Sequence, residues 1–176
     1  MTTLKIAVRP EDHAQGDENA TCTLVEYGDY QCPHCGRAYP IVKRIQKHFG
    51  KRLRFVFRNF PLNEIHPQAE SAAETAEFAG SHDKFWEMHD RLFENQTRFS
   101  PILFEELVQG LKLDPEDLRE ALTSGEFRAH VRSDFMGGAR SGVNGTPTFF
   151  INGQRHDGPW DYEDLVEAIE GRLAAA

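Results

Sequence analysis

The chain has 176 residues, 39% of them hydrophobic and 27% charged, with a formal net charge of −8. That length suits one domain, or one domain with an insertion, and buries roughly 70% of the unfolded surface, so no disulfide is needed to hold the fold. The acidic balance argues against nucleic acid as a main partner, because phosphate binding needs a basic patch.

In chain order, Leu4-Lys5-Ile6-Ala7-Val8 reads as a short strand, and Arg9 to Ala20 as a polar, irregular lead-in. Thr21 to Tyr27 is β-rich and mostly apolar, Gly36 to Phe49 reads as a helix, and Leu53 to Phe57 as a second strand. Together they predict a β-α-β unit with parallel pairing. Five helical stretches follow, over His66 to Ala79, Asp83 to Glu94, Pro101 to Leu111, Pro115 to Leu122 and Glu126 to Ala139. Asp114 reads as a cap with Pro115 at the first helical position. The sheet resumes at Thr148 to Ile151, turns at Asn152-Gly153, and returns near Gln154 to His156. Asp161 starts a last helix that runs to about Leu173. The expected organisation is a lead-in over 1–20 and a single α/β domain over 21–176, with a helical block inserted at about 66–140.

Cys32-Pro33-His34-Cys35 lies on the turn from strand to helix. A helix start leaves backbone N–H groups without partners and carries partial positive charge, so a thiolate there is stabilised. Pro33 fits the first helical turn because its missing N–H costs nothing there. His34 can add positive charge or a hydrogen-bond donor beside the sulfur. The dipole alone moves a thiol pKa by at most about 1.5. A strongly acidic Cys32 therefore needs the dipole, His34 and local donors together. Cys32 is the expected exposed nucleophile and Cys35 the more buried resolving thiol. The competing interpretation is zinc, which wants four ligands, but only one further cysteine exists and the eight histidines offer no matching half-site. That third cysteine, Cys22, reads as a small buried hydrophobe in a strand. An odd count fits a reducing compartment.

Taken with that motif, the element order resembles the DsbA-like branch of the thioredoxin superfamily. The resemblance runs from about Thr21 to Leu173. It includes Leu24-Val25-Glu26-Tyr27, Phe85-Trp86-Glu87-Met88-His89-Asp90, and Gly145-Thr146-Pro147-Thr148-Phe149-Phe150-Ile151-Asn152-Gly153. The stretch through Gly36 is also similar to DsbA-like domains fused to sodium/proton antiporters. The resemblance implies a thioredoxin-like fold with an inserted helical block, and a cis peptide before Pro147 that sets the Thr146 backbone near Cys32. It implies that Glu26, six residues before Cys32, is a buried acid able to shuttle the proton of Cys35. Arg54 or Arg58 is the candidate partner of that acid. It links His34 to a stabilised thiolate. His82 and His89 read as surface or packing groups, and Tyr30 and Trp86 as core before groove.

The expected activity is thiol–disulfide exchange with no metal or organic cofactor. The expected partners are protein or peptide thiols and disulfides, glutathione as a small thiol, and a recycling redox protein. Rival functions are a glutathione-dependent transferase or isomerase, and a redox-sensing or metal-binding module. No stretch approaches the ~18 apolar residues of a membrane span. The first ten residues lack the apolar centre of a secretory leader, so the cytoplasm is the expected location unless a cleaved leader preceded them.

Overall fold

In the computed structural model, which describes residues 2–175, five strands form one mixed sheet. β1 (His13–Gly16), β2 (Cys22–Gly28), β3 (Leu53–Asn59), β4 (Thr148–Ile151) and β5 (Gln154–His156) lie in the order β1-β3-β2-β4-β5. β2 and β3 run parallel, and the other neighbouring pairs are antiparallel. The crossover between the parallel strands is α1 (Pro33–Phe49). Asn152 and Gly153 turn β4 into β5 with φ of 47° and 76°. Both angles lie in the left-handed region that a two-residue hairpin demands, which is why an Asn-Gly pair sits there.

Period-two alternation divides the sheet between two cores. Cys22, Leu24, Phe55, Phe57, Phe149 and Ile151 share one core with Ala38, Val42 and Ile45 of α1 and with Leu165 and Ile169 of α7 (Tyr162–Ala174). Val25, Tyr27, Val56 and Phe150 face the other way, toward Phe60, Val143 and the partly buried Phe135. The helical block is α2 (Ala69–Gly80), α3 (Phe85–Glu94), α4 (Pro101–Gly110), α5 (Pro115–Ser124) and α6 (Arg128–Arg140). It falls inside the expected 66–140 segment. Small residues Ala69, Ala72, Ala73, Ala76 and Ala79 let α2 sit deep in the molecule, since all five are buried. Asp114 caps α5 as expected, accepting the N–H of Glu116 at 2.8 Å.

The lead-in departs from its sequence. Leu4 to Val8 is not a strand: only Thr3 bridges to Gln154. The carbonyls of Ile6 and Ala7 instead accept hydrogen bonds from Arg58 at 2.8 and 2.9 Å, so they are not available for a ladder. Conversely, the stretch expected to be irregular contains β1, whose residues 13–16 pair antiparallel with 54–57 of β3. His-Ala-Gln-Gly carries no apolar alternation. It becomes a strand because β3 offers a free edge and because the His13 ring stacks on Phe85 at 3.5 Å.

Candidate active site

The turn between β2 and α1 is built around one buried carboxylate. Asp29 Oδ1 accepts the N–H groups of Gln31 and Cys32 at 2.7 and 3.2 Å. Asp29 Oδ2 accepts the N–H of Leu62 at 2.9 Å and lies 2.7 Å from His66 Nδ1. The Asp29 N–H itself points at Cys35 Sγ, 3.4 Å away. On the other side, Gln96 Nε2 donates to the carbonyls of Tyr30 and Cys32, both at 2.8 Å. Gly36 leaves room for that clamp, since a Cβ there would stand 2.4 Å from Gln96 Oε1. Sequence reasoning missed both side chains. Asp29 had a readable signal, an Asx turn ahead of a helix start. Gln96 had none, because it comes from the helical block.

Cys32 occupies the N-cap of α1 with Pro33 directly after it. Cys32 is 3% exposed and Cys35 0%, and both are free thiols. Cys32 was expected to be exposed; instead it is almost fully covered. Cys32 Sγ lies 3.5 Å from the Thr146 carbonyl oxygen, and the Thr146–Pro147 peptide is cis. The Cys32 thiol falls from the ordinary 9.0 to about 5. The Cys35 thiol donating to it is the largest cause, and the Thr146 side chain and the N–H groups of Cys35 and His34 add to it against burial. Cys35 moves the other way, well above 9.0, because it is buried and because it is the donor. The two sulfurs are thus held in opposite protonation states at neutral pH.

His34 contributes through its backbone N–H. Its exposed ring turns to Arg37, with Nδ1 accepting from Nη2 at 2.6 Å. Arg37 also lies over the Trp160 ring at 5.8 Å and lines a cleft of about 310 Å³ with Ile41, Pro159, Trp160 and Asp161. Cys22 is fully buried, and burial raises its thiol to about 11. Tyr30 belongs to the core, 1% exposed, with its hydroxyl 2.9 Å from Nδ1 of the buried His89. Burial holds His89 well below 6.5, so its neutral ring accepts that bond. Trp86 packs at the core margin against Phe55 and Phe85, and His82 is exposed.

Glu26 is 2% exposed, and its Oε1 has no hydrogen-bond partner among the described residues. The expected arginine partner is absent. Glu26 sits opposite Phe57 in the parallel register, so Arg54 and Arg58, at odd offsets from Phe57, lie on the opposite face. Arg58 instead bonds Tyr27 and Asp12. Burial raises the Glu26 carboxyl from 4.5 to about 8, with the Cys32 thiolate adding to it. A raised folded value means that the contribution to stability is fully present below about pH 4.5 and is lost as pH rises through about 8. Glu26→Gln removes that loss. The variant is expected to be near-neutral at pH 4 and to stabilise the reduced protein by roughly 3 kcal/mol at pH 7. Urea unfolding at the two pH values measures this, and an equal effect at both would contradict it.

Comparisons with known proteins agree with this geometry. The sequence matches the thioredoxin family profile, described as "Thioredoxin", over residues 9–171. The chain is 41% identical over 172 residues to a Na(+)/H(+) antiporter NhaA 1 of Salinispora arenicola, covering 97% of this chain and 26% of that protein. It therefore spans about a quarter of the length of such curated relatives. Among the described residues, no helix is long and apolar enough to cross a membrane. The oxidised crystal structure of BdbD from Bacillus subtilis superposes with a TM-score of 0.84 at 30% identity, covering 93% of each chain. α-DsbA1 of Wolbachia pipientis superposes with a TM-score of 0.83 at 18% identity, covering 98% of this chain and 94% of that one.

Proposed function

The chain belongs to the thioredoxin family with a DsbA-like fold, and from that premise we propose that it is a thiol–disulfide oxidoreductase working by dithiol exchange at Cys32 and Cys35. The observation that carries this reading is the opposed pair of sulfurs, a Cys32 thiolate near pKa 5 beside a protonated, buried Cys35. In the oxidising direction, a substrate thiolate attacks Cys32 Sγ and breaks the Cys32–Cys35 bond. Cys35 leaves and takes up a proton, for which the Glu26 carboxyl, raised to about 8, is the local source. A second substrate thiolate then attacks the substrate sulfur of the mixed disulfide and expels the Cys32 thiolate. Two substrate thiols become one disulfide, and the enzyme disulfide becomes a thiolate and a thiol. Reduction is the same path reversed.

Substrates are protein or peptide thiols. An extended segment pairs with the Thr146 backbone beside Cys32, and its side chains reach the cleft lined by Arg37 and Trp160. Stabilising the Cys32 thiolate stabilises the reduced form, which makes the disulfide an oxidant. Equilibration with glutathione followed by thiol trapping tests this. The expected midpoint lies nearer about −120 mV than about −270 mV. A midpoint at the lower end would assign the chain to reduction and would show that the thiolate is not selectively stabilised.

A further inference from the structure

Four chemistry-bearing side chains from distant parts of the chain meet where β1, α2 and α6 come together. His13 Nε2 stands 2.8 Å from Glu77 Oε2. His130 Nε2 stands 3.5 Å from Glu77 Oε1 and 3.7 Å from Asp134 Oδ2. Ligating atoms of His13, Glu77 and His130 all lie within 4.8 Å of one another. Dithiol exchange uses none of these groups.

We propose that His13, Glu77 and His130 bind a divalent transition-metal ion of the zinc class, with water as the remaining ligand and the Asp134 carboxylate beside the site. Spacing is the first support. Zinc bonds of about 2.0–2.2 Å in a tetrahedron set neighbouring donors roughly 3.3 Å apart, and the separations of 2.8 and 3.5 Å between the Glu77 oxygens and the two histidines bracket that value. Donor chemistry is the second. Two imidazoles and carboxylate oxygens suit a borderline ion, whereas calcium and magnesium take all-oxygen sets. Support around the donors is the third. Asn59 Nδ2 donates to Glu77 Oε1 at 2.7 Å and to Asp134 Oδ2 at 3.1 Å, and the Asn59 N–H donates to Asp134 Oδ2 at 3.0 Å. The His13 ring is stacked on Phe85, 4° from parallel. Metal sites need this kind of outer orientation.

Charge gives a fourth support. Glu77 and Asp134 side chains are each 6% exposed, and their only ion-pair partners among the described residues are the two histidines. A divalent cation neutralises both carboxylates while the imidazoles stay neutral. Access exists, since the His130 side chain is 37% exposed. The ion would tie β1, the strand that its own sequence supports least, to α2 and α6.

The test uses the oxidised protein, so that the closed Cys32–Cys35 pair cannot take the ion, after dialysis against a chelator. Zinc sulfate is titrated by calorimetry, and Tm is followed. The expected result is one ion per chain and a Tm rise of about 5–10 °C at a hundredfold excess over Kd. His130→Ala, at a half-exposed position that tolerates truncation, is expected to weaken binding at least tenfold. His13→Gln with His130→Ala is expected to remove it. Cobalt(II) in the same protein is expected to give a d–d spectrum without sulfur charge transfer. Failure to bind zinc would mean that the cluster is only a set of histidine–carboxylate ion pairs, and overturns the proposal. So does zinc binding that His130→Ala leaves unchanged, or calcium binding as tightly as zinc.

Discussion

Cys32→Ser is expected to abolish dithiol exchange, dropping turnover of a model peptide dithiol by at least about a thousandfold. The argument rests on charge as well as on sulfur. With its thiol near 5 against an ordinary 9.0, Cys32 is almost wholly thiolate at pH 7, and the thiolate is the nucleophile and the good leaving group. Neither remaining thiol can replace it, since Cys22 is fully buried at about 11 and Cys35 is pushed well above 9.0. Cys35→Ala has the complementary outcome. Given a peptide disulfide, the Cys32 thiolate still attacks one of its sulfurs and expels the other as a thiolate, but no second sulfur of the chain resolves the adduct, so mixed disulfides accumulate and intact-mass spectrometry counts one substrate per chain. Full turnover without Cys35 would point to a single-thiol, glutathione-dependent transferase. Removing Cys35 also removes the largest donor to the Cys32 thiolate, so the alkylation rate of Cys32 in this variant should titrate at higher pH than in the parent.

For stability, the largest expected loss follows Arg58→Met. Arg58 is 2% exposed, and its guanidinium donates to both oxygens of Asp12 at 2.9 and 2.7 Å, to two carbonyls and to the Tyr27 hydroxyl. Removing one partner of a buried pair costs about 3–5 kcal/mol because the other charge stays behind unpaired. At this chain length that lowers Tm by about 6–20 °C, measurable by calorimetry. Burial pushes Asp12 up, but the bonds from Arg58 outweigh it and hold the carboxyl below 3.8. A depressed folded value means that its stabilisation is present above about pH 3.8 and fades as pH falls through the lower folded value. The gap between parent and variant is therefore expected to close in acid. A loss under about 1 kcal/mol at pH 7 would mean that water replaces the arginine. Arg58→Met combined with Asp12→Leu is expected to recover part of the loss, because no charge is then left buried.

These two cases mark what was legible in the sequence. The placement of the cysteine pair was, because Cys-x-x-Cys on a strand-to-helix turn is a local signal carried by residues a few positions apart. The helical block was also readable, since Asp114-Pro115 and the alanine spacing of α2 are local too. Glu26 is buried, as the resemblance implied, but the arginine partner expected for it is absent. Excluding Arg54 and Arg58 required the parallel register, in which Glu26 faces Phe57, because one residue of slip reverses every face. β1 was invisible for a related reason: its four residues have no pattern of their own and take their conformation from β3 and Phe85. The donors that acidify Cys32 divide in the same way. The backbone N–H groups at the helix start were foreseeable, whereas Thr146 entered only through a family resemblance.

The clamp formed by Gln96 changes what counts as the minimal catalytic unit. Two carbonyls of the cysteine turn, those of Tyr30 and Cys32, accept from a side chain that follows α3, the Cys32 carbonyl in addition to its helical bond from the Gly36 N–H. A protein trimmed to the β-α-β unit, the final hairpin with the Thr146–Pro147 peptide before it, and the last helix would keep every group named above as a donor to the two active-site sulfurs. It would still lose the donor to the Tyr30 carbonyl and the second donor to the Cys32 carbonyl, at the place where the backbone must stay still while a bond between cysteines opens and closes. The inserted helices are therefore a retaining wall for the redox loop as well as a roof over the sheet. Grafting the four-residue motif onto a smaller relative should transfer the cysteines but not their rigidity.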